Sequence, residues 1–156
     1  ELYEDRVKYI KHLMPDACIG GDVIVGFPGE DNSEFDKTLN FIKDLDISYL
    51  HVFPYSEREN TRALSLNESV PTEIRNKRSK VLRLLSDKKK RYFYESNIKN
   101  VRNVLFENKV KGDFIYGFTD NYIKTKIKFN RKLVGKQCNI LLKKVDNDLS
   151  VIGEII

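Results

Sequence analysis

The stretch GGDVIVGFPGED, residues 20–31, decides the fold of the first half of the chain. Its apolar centre, VIV, is typical of a buried strand, and Gly-Phe-Pro-Gly ends that strand in a turn. Asp31 followed by Glu34 has the spacing of a helix-capping box, and the pattern that follows predicts a helix over residues 32–44. The turn between strand and helix either holds a ligand or is an ordinary tight connection, and its residues alone leave both interpretations open.

A second apolar strand, ISYLHVFPY at residues 47–55, follows the predicted helix. Strand, helix and strand in this order form a right-handed unit with two parallel strands. Parallel strands are buried on both faces and need several neighbours, yet the pattern supplies only two. We therefore expect residues 1–70, which begin with a helix over residues 3–14, to be the last part of a larger α/β domain. Because the chain lacks an initiator Met, we expect it to be a piece of a longer protein.

Charge is distributed unevenly along the chain, whose formal net charge is +5. Residues 1–70 carry 7 Lys/Arg and 14 Asp/Glu, whereas residues 71–156 carry 21 Lys/Arg and 9 Asp/Glu. The second half is therefore strongly basic, which favours a polyanionic partner such as nucleic acid. A solvated lysine-rich surface is the plain alternative.

The second half changes from a helical to a strand pattern. Pro71 and Glu73 favour a helix start, and we expect a basic linker helix over residues 71–99. The side chains expected on its packed side are Ile74, Val81, Leu85 and Tyr92. From residue 100 onward the period falls to two, and about five short strands separated by Gly, Asn and Asp turns predict a small antiparallel, OB-like β-barrel.

Composition disfavours several other classes of function. No segment approaches the roughly 20 apolar residues of a membrane span, so no membrane contact is expected. Cys18 and Cys138 are too few for a disulfide framework or a structural metal site, which favours a reduced cytoplasmic location. No Ser-His-Asp or Cys-His arrangement is evident, so we predict neither a catalytic residue nor a metal site within the chain.

Both strand ends carry the motifs of a known family. The runs DVIVGFPGE, residues 22–30, and YLHVFPYSERENTRA, residues 49–63, resemble the end of the radical-SAM domain of the methylthiotransferases. That family has D-x-I-x-G-F-P-G-E, a helix, and then Y-x-H-x-F-x-Y-S-x-R-x-x-T-x-A, with Gly usual where this chain has Asn60. The LHVFPYS run is most similar to the branch that acts on threonylcarbamoyladenosine in tRNA.

The resemblance extends over essentially the whole chain. In the family a basic helix and a TRAM domain, a small RNA-binding β-barrel, follow the radical-SAM barrel. Residues 112–140, GDFIYGFTDNYIKTKIKFNRKLVGKQCNI, resemble that TRAM domain. The implied division is a partial radical-SAM β/α barrel over residues 1–70, the linker helix over residues 71–99 and a TRAM-like barrel over residues 100–156.

The same resemblance implies cofactors for the complete enzyme, namely S-adenosylmethionine and two 4Fe–4S clusters. The family's Cys-x3-Cys-x2-Cys motif does not occur in this sequence, so we expect the chain to hold no cluster and to be inactive alone. The residues implied for the adenine side of S-adenosylmethionine are Ile24, Gly26, Pro28, His51, Phe53 and Ser56. Glu30 stands one place later than the Glu of the broader radical-SAM pattern and either contacts the cofactor or helps to cap the next helix.

The implied reaction adds a methylthio group to C2 of a modified adenosine beside the anticodon of tRNA. S-adenosylmethionine would be cleaved reductively to a radical that abstracts the C2 hydrogen, and a second molecule would donate the methyl group. The sequence indicates neither the electron donor nor the sulfur source.

An RNA-binding surface can be predicted from the strand pattern of NYIKTKIKF, residues 121–129. Alternation places Tyr122, Lys124, Lys126 and Lys128 on one face and Ile123, Thr125, Ile127 and Phe129 on the core face. Three ammonium groups beside an aromatic ring suit a sugar-phosphate backbone with one base stacked on the ring. Arg58 of the second motif is added as an RNA contact, while Tyr116 and Phe118 are expected in the core. The plain alternative is that these lysines prevent strand edges from aggregating.

Two other functions remain open at this point. The chain could be a non-catalytic RNA-binding module in which the strand–helix–strand part serves only for docking. It could instead belong to the branch of the family that modifies a ribosomal protein, which would favour a more acidic barrel surface. In either case, the incomplete β/α part is expected to expose apolar surface and to self-associate.

Overall fold

In the computed structural model, which describes residues 2–156, a strand–helix–strand unit comes first along the chain. Its elements are α1 (Leu2–Leu13), β1 (Gly20–Val25), α2 (Asn32–Asp44) and β2 (Tyr49–Pro54). A 3-10 turn at Arg62–Ser65 precedes the long helix α3 (Thr72–Ser96). Then follow β3 (Val101–Lys111), β4 (Phe114–Thr119), β5 (Lys124–Lys128), a 3-10 turn at Arg131–Leu133, β6 (Gln137–Val145) and β7 (Val151–Ile155).

The chain contacts divide these elements into two units. Unit 1 contains the residues up to Leu13 and Ile19–Lys89, and unit 2 contains Met14–Cys18 and Lys90–Ile156. Helix α3 contributes its first part to unit 1 and its last part to unit 2. None of the helices within residues 2–156 is long and apolar enough to cross a membrane.

Unit 1 confirms the predicted parallel strand pair. Strands β1 and β2 are parallel and pair Val23 with Val52, and Asp31 caps α2 by accepting the Glu34 N–H at 2.8 Å. Helices cover one face of this two-stranded sheet, and the buried residues there include Val7, Val25, Phe35, Ile42, Leu50 and Leu82. The other face, which carries Ile24 and Phe53, is exposed, so helices cover the pair on one side.

Helix α3 packs only partly with the side that the periodicity predicts. Tyr92 is 72% exposed and Val81 36% exposed, whereas Ile74 and Leu85 are half-buried and Leu85 packs against the core of unit 1. The buried side of the part in unit 1 carries Leu82 together with two arginines, Arg75 and Arg78. The prediction counted these cations as solvent-facing, whereas each guanidinium is buried and donates several hydrogen bonds that compensate for its desolvation.

Unit 2 is a closed five-stranded barrel in the order β3-β4-β5-β7-β6. This agrees with the predicted small β-barrel, but the expectation of a wholly antiparallel barrel is wrong. Strands β5 and β7 are parallel, pairing Thr125 with Val151 and Lys126 with Ile152. The barrel core contains Phe93 and Tyr94 of α3 and the inward side chains Val104, Phe106, Ile115, Ile123, Ile127, Ile140, Leu142 and Val151.

Gly117 allows β3 and β4 to approach closely where the barrel bends. It pairs with Phe106, just before the register of β3 shifts between Phe106 and Val110. A Cβ atom at Gly117 would lie 2.3 Å from the backbone oxygen of Leu105, which is closer than real Cβ contacts. Only glycine fits here without displacing the neighbouring strand.

We predict that Gly117→Ala destabilises the barrel by about 1–3 kcal/mol, because the added methyl group must push β3 away. Urea unfolding followed by circular dichroism measures this change in the free energy of unfolding. Glu107→Ala, an exposed substitution on β3, is the control and should change it little. A Gly117→Ala barrel as stable as the parent would contradict the close approach of the two strands.

Candidate cofactor wall and nucleic-acid interface

Three of the residues implied for S-adenosylmethionine lie on the exposed face of the β1–β2 pair. Ile24 and Phe53 are cross-strand partners, 61% and 50% exposed, and His51 lies two pairs away on the same face, opposite Asp22. The His51 ring contacts Tyr49 edge-on, with 5.1 Å between the ring centroids. The face therefore presents two apolar side chains and an aromatic pair to solvent, an arrangement that can cover one side of a flat heterocycle.

The loop residues of the prediction lie at the carboxyl ends of these strands. Pro28 is half-buried in the turn after β1, and Ser56 is exposed just after β2. Gly26 has a φ of 78°, a left-handed conformation that favours glycine, and it is buried. Its missing Cβ does not leave room for a ligand as expected, because a Cβ there would lie 2.3 Å from Cγ of Arg75.

Arg75 ties the end of β2 to the loop that precedes α3. Its guanidinium donates to the Tyr55 backbone oxygen at 2.9 Å and to the Val70 backbone oxygen at 2.7 Å. It also binds Glu57 through both carboxylate oxygens, and this bidentate hydrogen bonding lowers the pKa of Glu57 to about 2.

Arg78 holds the turn after β1 in place through hydrogen bonds to Glu30 and Asn32. It donates to the backbone oxygen and to Oε1 of Glu30, each at 2.8 Å, and to Oδ1 of Asn32 at 3.0 Å. The other Glu30 oxygen accepts the Gly26 N–H at 3.0 Å. Glu30 thus braces the turn from within, which differs from both roles that the sequence left open for it. The GFPG segment is a connection held by two buried arginines, and its neighbours on β1 and β2 form the accessible face.

Arg58 is exposed in the loop after β2, and its backbone oxygen accepts a hydrogen bond from the Thr61 hydroxyl at 2.8 Å. Among the described residues of unit 1, no hydrogen bond or ion pair joins the Arg58 side chain to the strand face. Among residues 2–156, no group of three or more His, Cys, Asp or Glu side chains is placed to hold a metal ion.

In unit 2, the outer face of β4 and β5 alternates aromatic and lysine side chains. The pairing sets Phe114 against Lys128, Tyr116 against Lys126 and Phe118 against Lys124. The Lys124 ammonium lies 5.1 Å from the Tyr116 ring centroid, close enough for a cation–π contact. We call this surface, with Tyr122 added, the aromatic–lysine face. Basic groups interleaved with aromatic rings are typical of surfaces that bind single-stranded nucleic acid.

The predicted ladder of three solvent-facing lysines is wrong at Lys126. This side chain is only 5% exposed, and its ammonium bonds to Asp146 at 2.5 Å and to Asp148 at 3.1 Å. Phe114 and Tyr116 flank it, with ring centroids at 5.2 and 5.9 Å. Lys128 is exposed and Lys124 half-buried, so these two remain as cations that can reach a phosphate.

The sequence interpretation missed Phe118 as part of this face. Phe118 is half-buried and stacks on Tyr122, with 4.9 Å between ring centroids and 23° between ring planes. Tyr122 has a φ of 66° and its N–H donates to the Thr119 oxygen at 3.0 Å, which fixes the ring beside the strand end. Phe129, expected in the core, is 47% exposed. The signal for Phe118 was available, because F-x-Y-x-F before a short turn pairs with K-x-K-x-K after it.

Ion pairs from Asp146 and Asp148 to Lys126 hold the turn between β6 and β7. Burial alone would raise the pKa of Asp148, but hydrogen bonds from Ser150 and Lys126 outweigh it and lower the pKa to about 2. Asp148 also accepts the Tyr116 hydroxyl at 3.2 Å. A carboxylate with a lowered pKa in the folded state stabilises the fold above its ordinary pKa of 3.8 and loses that contribution as the pH falls toward 2.

We predict that Asp148→Asn removes this part of the acid sensitivity. The melting temperature of the parent should fall more steeply between pH 5 and pH 2.5 than that of the variant, and the variant should already be less stable at pH 5. Differential scanning calorimetry measures both. Asp113→Asn, at an exposed turn, should keep the parent's slope; equal slopes for parent and Asp148→Asn would contradict the assignment.

Comparison with known proteins identifies relatives along nearly the whole chain. No family model matches the sequence. The threonylcarbamoyladenosine tRNA methylthiotransferases MtaB of Aquifex aeolicus and Bacillus subtilis are 40% and 35% identical over 91% and 92% of this chain. The tRNA-2-methylthio-N(6)-dimethylallyladenosine synthase of Bacillus subtilis is 30% identical over 100% of it.

Each of these relatives is much longer than the aligned region. The chain spans 33% of each MtaB protein and 32% of the synthase. Among these three, identity is higher with the two threonylcarbamoyladenosine enzymes, in agreement with the branch that the LHVFPYS run indicates. The chain is thus homologous, over nearly its whole length, to about one third of these tRNA methylthiotransferases.

Proposed function

We propose that this chain is the part of a tRNA methylthiotransferase that supplies one wall of the cofactor site and a tRNA-binding surface. The observation that carries the proposal is the homology to tRNA methylthiotransferases over 91–100% of the chain. In this proposal unit 1 is a segment of the radical-SAM barrel and unit 2 is its TRAM domain. The complete enzyme would methylthiolate a modified adenosine beside the anticodon.

The strand face of unit 1 fits the adenine side of S-adenosylmethionine. Ile24 and Phe53 are adjacent and exposed, which suits contact with a flat aromatic ring system, and His51 adds a polar edge. When bound, S-adenosylmethionine supplies the radical and the methyl group of the reaction. This chain's own contribution is to hold the adenine end, with Arg75 and Arg78 keeping the strand-end turns in position.

The two cysteines of this chain, Cys18 and Cys138, do not form a binding site for a 4Fe–4S cluster. Both cysteines are half-buried, and each packs against the barrel core of unit 2. Since 4Fe–4S clusters are held by cysteine thiolates, these residues offer no cluster site. The proposal therefore assigns no electron-transfer step to residues 2–156.

The aromatic–lysine face of unit 2 carries the tRNA part of the proposal. Lys124 and Lys128 can bind successive phosphates while Tyr122 offers a ring for one base. This disfavours the ribosomal-protein branch, for which a more acidic surface was expected. The exposed apolar pair Ile24 and Phe53 disfavours a module that only binds RNA, since such a module has no use for an open strand face.

We predict that Lys124→Ala combined with Lys128→Ala lowers affinity for a tRNA anticodon stem-loop and flattens its salt dependence. Two lost phosphate contacts should reduce the slope of log affinity against log salt by about 1.4 to 1.8. Fluorescence anisotropy at several salt concentrations measures this slope.

The matched control removes two lysines from unit 1, namely Lys37→Ala with Lys43→Ala, both exposed on α2. It causes the same change in net charge and should leave the slope unchanged. If both double variants behave alike, the effect is one of net charge and the face is not the binding site. If the parent chain does not bind the stem-loop, the tRNA part of the proposal fails.

We further predict that the open strand face makes the isolated chain self-associate. Replacing Ile24 and Phe53 by Lys should lower the association measured by sedimentation equilibrium, because it places two charges on the exposed apolar pair. Leu64→Lys, a 50% exposed residue in the loop of unit 1, is the control. A parent chain that is monomeric at high concentration would contradict the incomplete-barrel interpretation.

A further inference from the structure

Unit 2 contains a cleft beside the aromatic–lysine face. It has a volume of about 470 Å³ and lies between the Met14–Cys18 segment and the Asp120–Tyr122 turn. One wall is the ring of Tyr122, and the other is formed by backbone and side chains of the segment that precedes β1. The space is larger than a single nucleobase requires.

The two walls of the cleft are fixed to each other. The Asn121 amide donates to the Asp16 backbone oxygen at 3.1 Å and to the Asn97 side-chain oxygen at 3.0 Å. Its own oxygen accepts the Thr119 hydroxyl at 2.7 Å. A ligand would therefore enter a site whose sides are already positioned, which lowers the entropic cost of binding.

The aromatic wall has one ring face covered and one available. Phe118 stacks on Tyr122, yet 59% of Tyr122 is exposed, and Tyr122 is one of the residues that line the cleft. A ring that is backed by a second ring and fixed by a left-handed turn is a rigid stacking surface. Its complement is a flat heterocycle.

The carboxylates of the cleft offer hydrogen-bond acceptors, whereas the Asn121 amide N–H groups are already bonded to Asp16 and Asn97. Asp16 and Asp120 line it with side chains 61% and 56% exposed, and Arg102 lies between them, 2.5 Å from one and 3.8 Å from the other. Arg102 offsets one of their two negative charges, which weakens the repulsion between the carboxylates and an RNA strand. Because an ionised carboxylate only accepts hydrogen bonds, the ligand edge must present N–H groups.

We propose that this cleft binds one unpaired nucleobase with an N–H-rich edge, guanine in preference to uracil, from the RNA strand on the aromatic–lysine face. Guanine presents two adjacent N–H donors that match a carboxylate, whereas the single donor of uracil is flanked by two carbonyl oxygens. The inference rests on the proposed tRNA binding of unit 2. It adds a site that reads one base next to a face that binds phosphates.

The test titrates the 156-residue chain with the fluorescent pentamers UUGUU and UUUUU and with GMP. We expect UUGUU to bind about five- to tenfold more tightly than UUUUU, the effect of one bidentate base contact. Asp16→Asn and Asp120→Asn should each reduce this preference, whereas Asp113→Asn on the β3–β4 turn should retain it.

A second pair of variants tests the stacking ring. Tyr122→Asn should weaken the binding of both pentamers about tenfold because it removes the ring, and asparagine tolerates the left-handed backbone at this position. The control Tyr92→Asn, at a 72% exposed position of α3, should leave the affinity for both pentamers unchanged.

The outcomes separate this inference from the proposed function. Equal binding of both pentamers by the parent chain, with Lys124→Ala/Lys128→Ala still weakening both, overturns the cleft and leaves the phosphate-binding face intact. No effect of the lysine variant overturns the proposed RNA face itself. GMP binding as tight as that of UUGUU supports the cleft but makes free nucleotide its ligand. Circular dichroism of each variant checks that the barrel is folded.

Discussion

The buried ammonium of Lys126 is the interaction on which the barrel and its outer face depend. A lysine that is 5% exposed is stable only if its charge is paired, and Asp146 and Asp148 provide that pairing from the turn between β6 and β7. The pair fastens this turn to β5, next to the parallel contact that closes the barrel. The ammonium also lies between Phe114 and Tyr116, so one cation orders both the turn and the aromatic rows.

In unit 1, two buried arginines of α3 have a comparable role. Arg75 fills the space below Gly26 and binds the backbone after β2, and Arg78 binds Glu30, which holds the Gly26 N–H. These hydrogen bonds use the strand-end backbone groups and leave the β1–β2 face uncovered. Ile24 and Phe53 on that face are therefore accessible at the ends of firmly held strands. The GFPG turn acts as a support, and the proposed cofactor contact lies beside it.

The elements of the fold were predictable, but the partners of its charged side chains were not. Apolar periodicity predicted β1, α2 and β2 because each is a continuous local pattern, and the bounds of α2 agree with the prediction. The same reasoning put Arg75, Arg78 and Lys126 in solvent, since it has no means to see acceptors that lie 18 to 48 residues away along the chain. The cleft at Tyr122 likewise depends on the Met14–Cys18 segment, which lies more than 100 residues earlier in the chain.

The central claim is that RNA lies on the outer face of β4 and β5 in unit 2. Backbone NMR of the isotope-labelled chain during titration with an anticodon stem-loop tests it most directly, since it reports every residue at once. We expect the largest shifts to cluster on Phe114–Phe118 and Tyr122–Lys128, with smaller shifts in the barrel core. Shifts confined to other strands of the barrel, or an unchanged spectrum at saturating RNA, would contradict it.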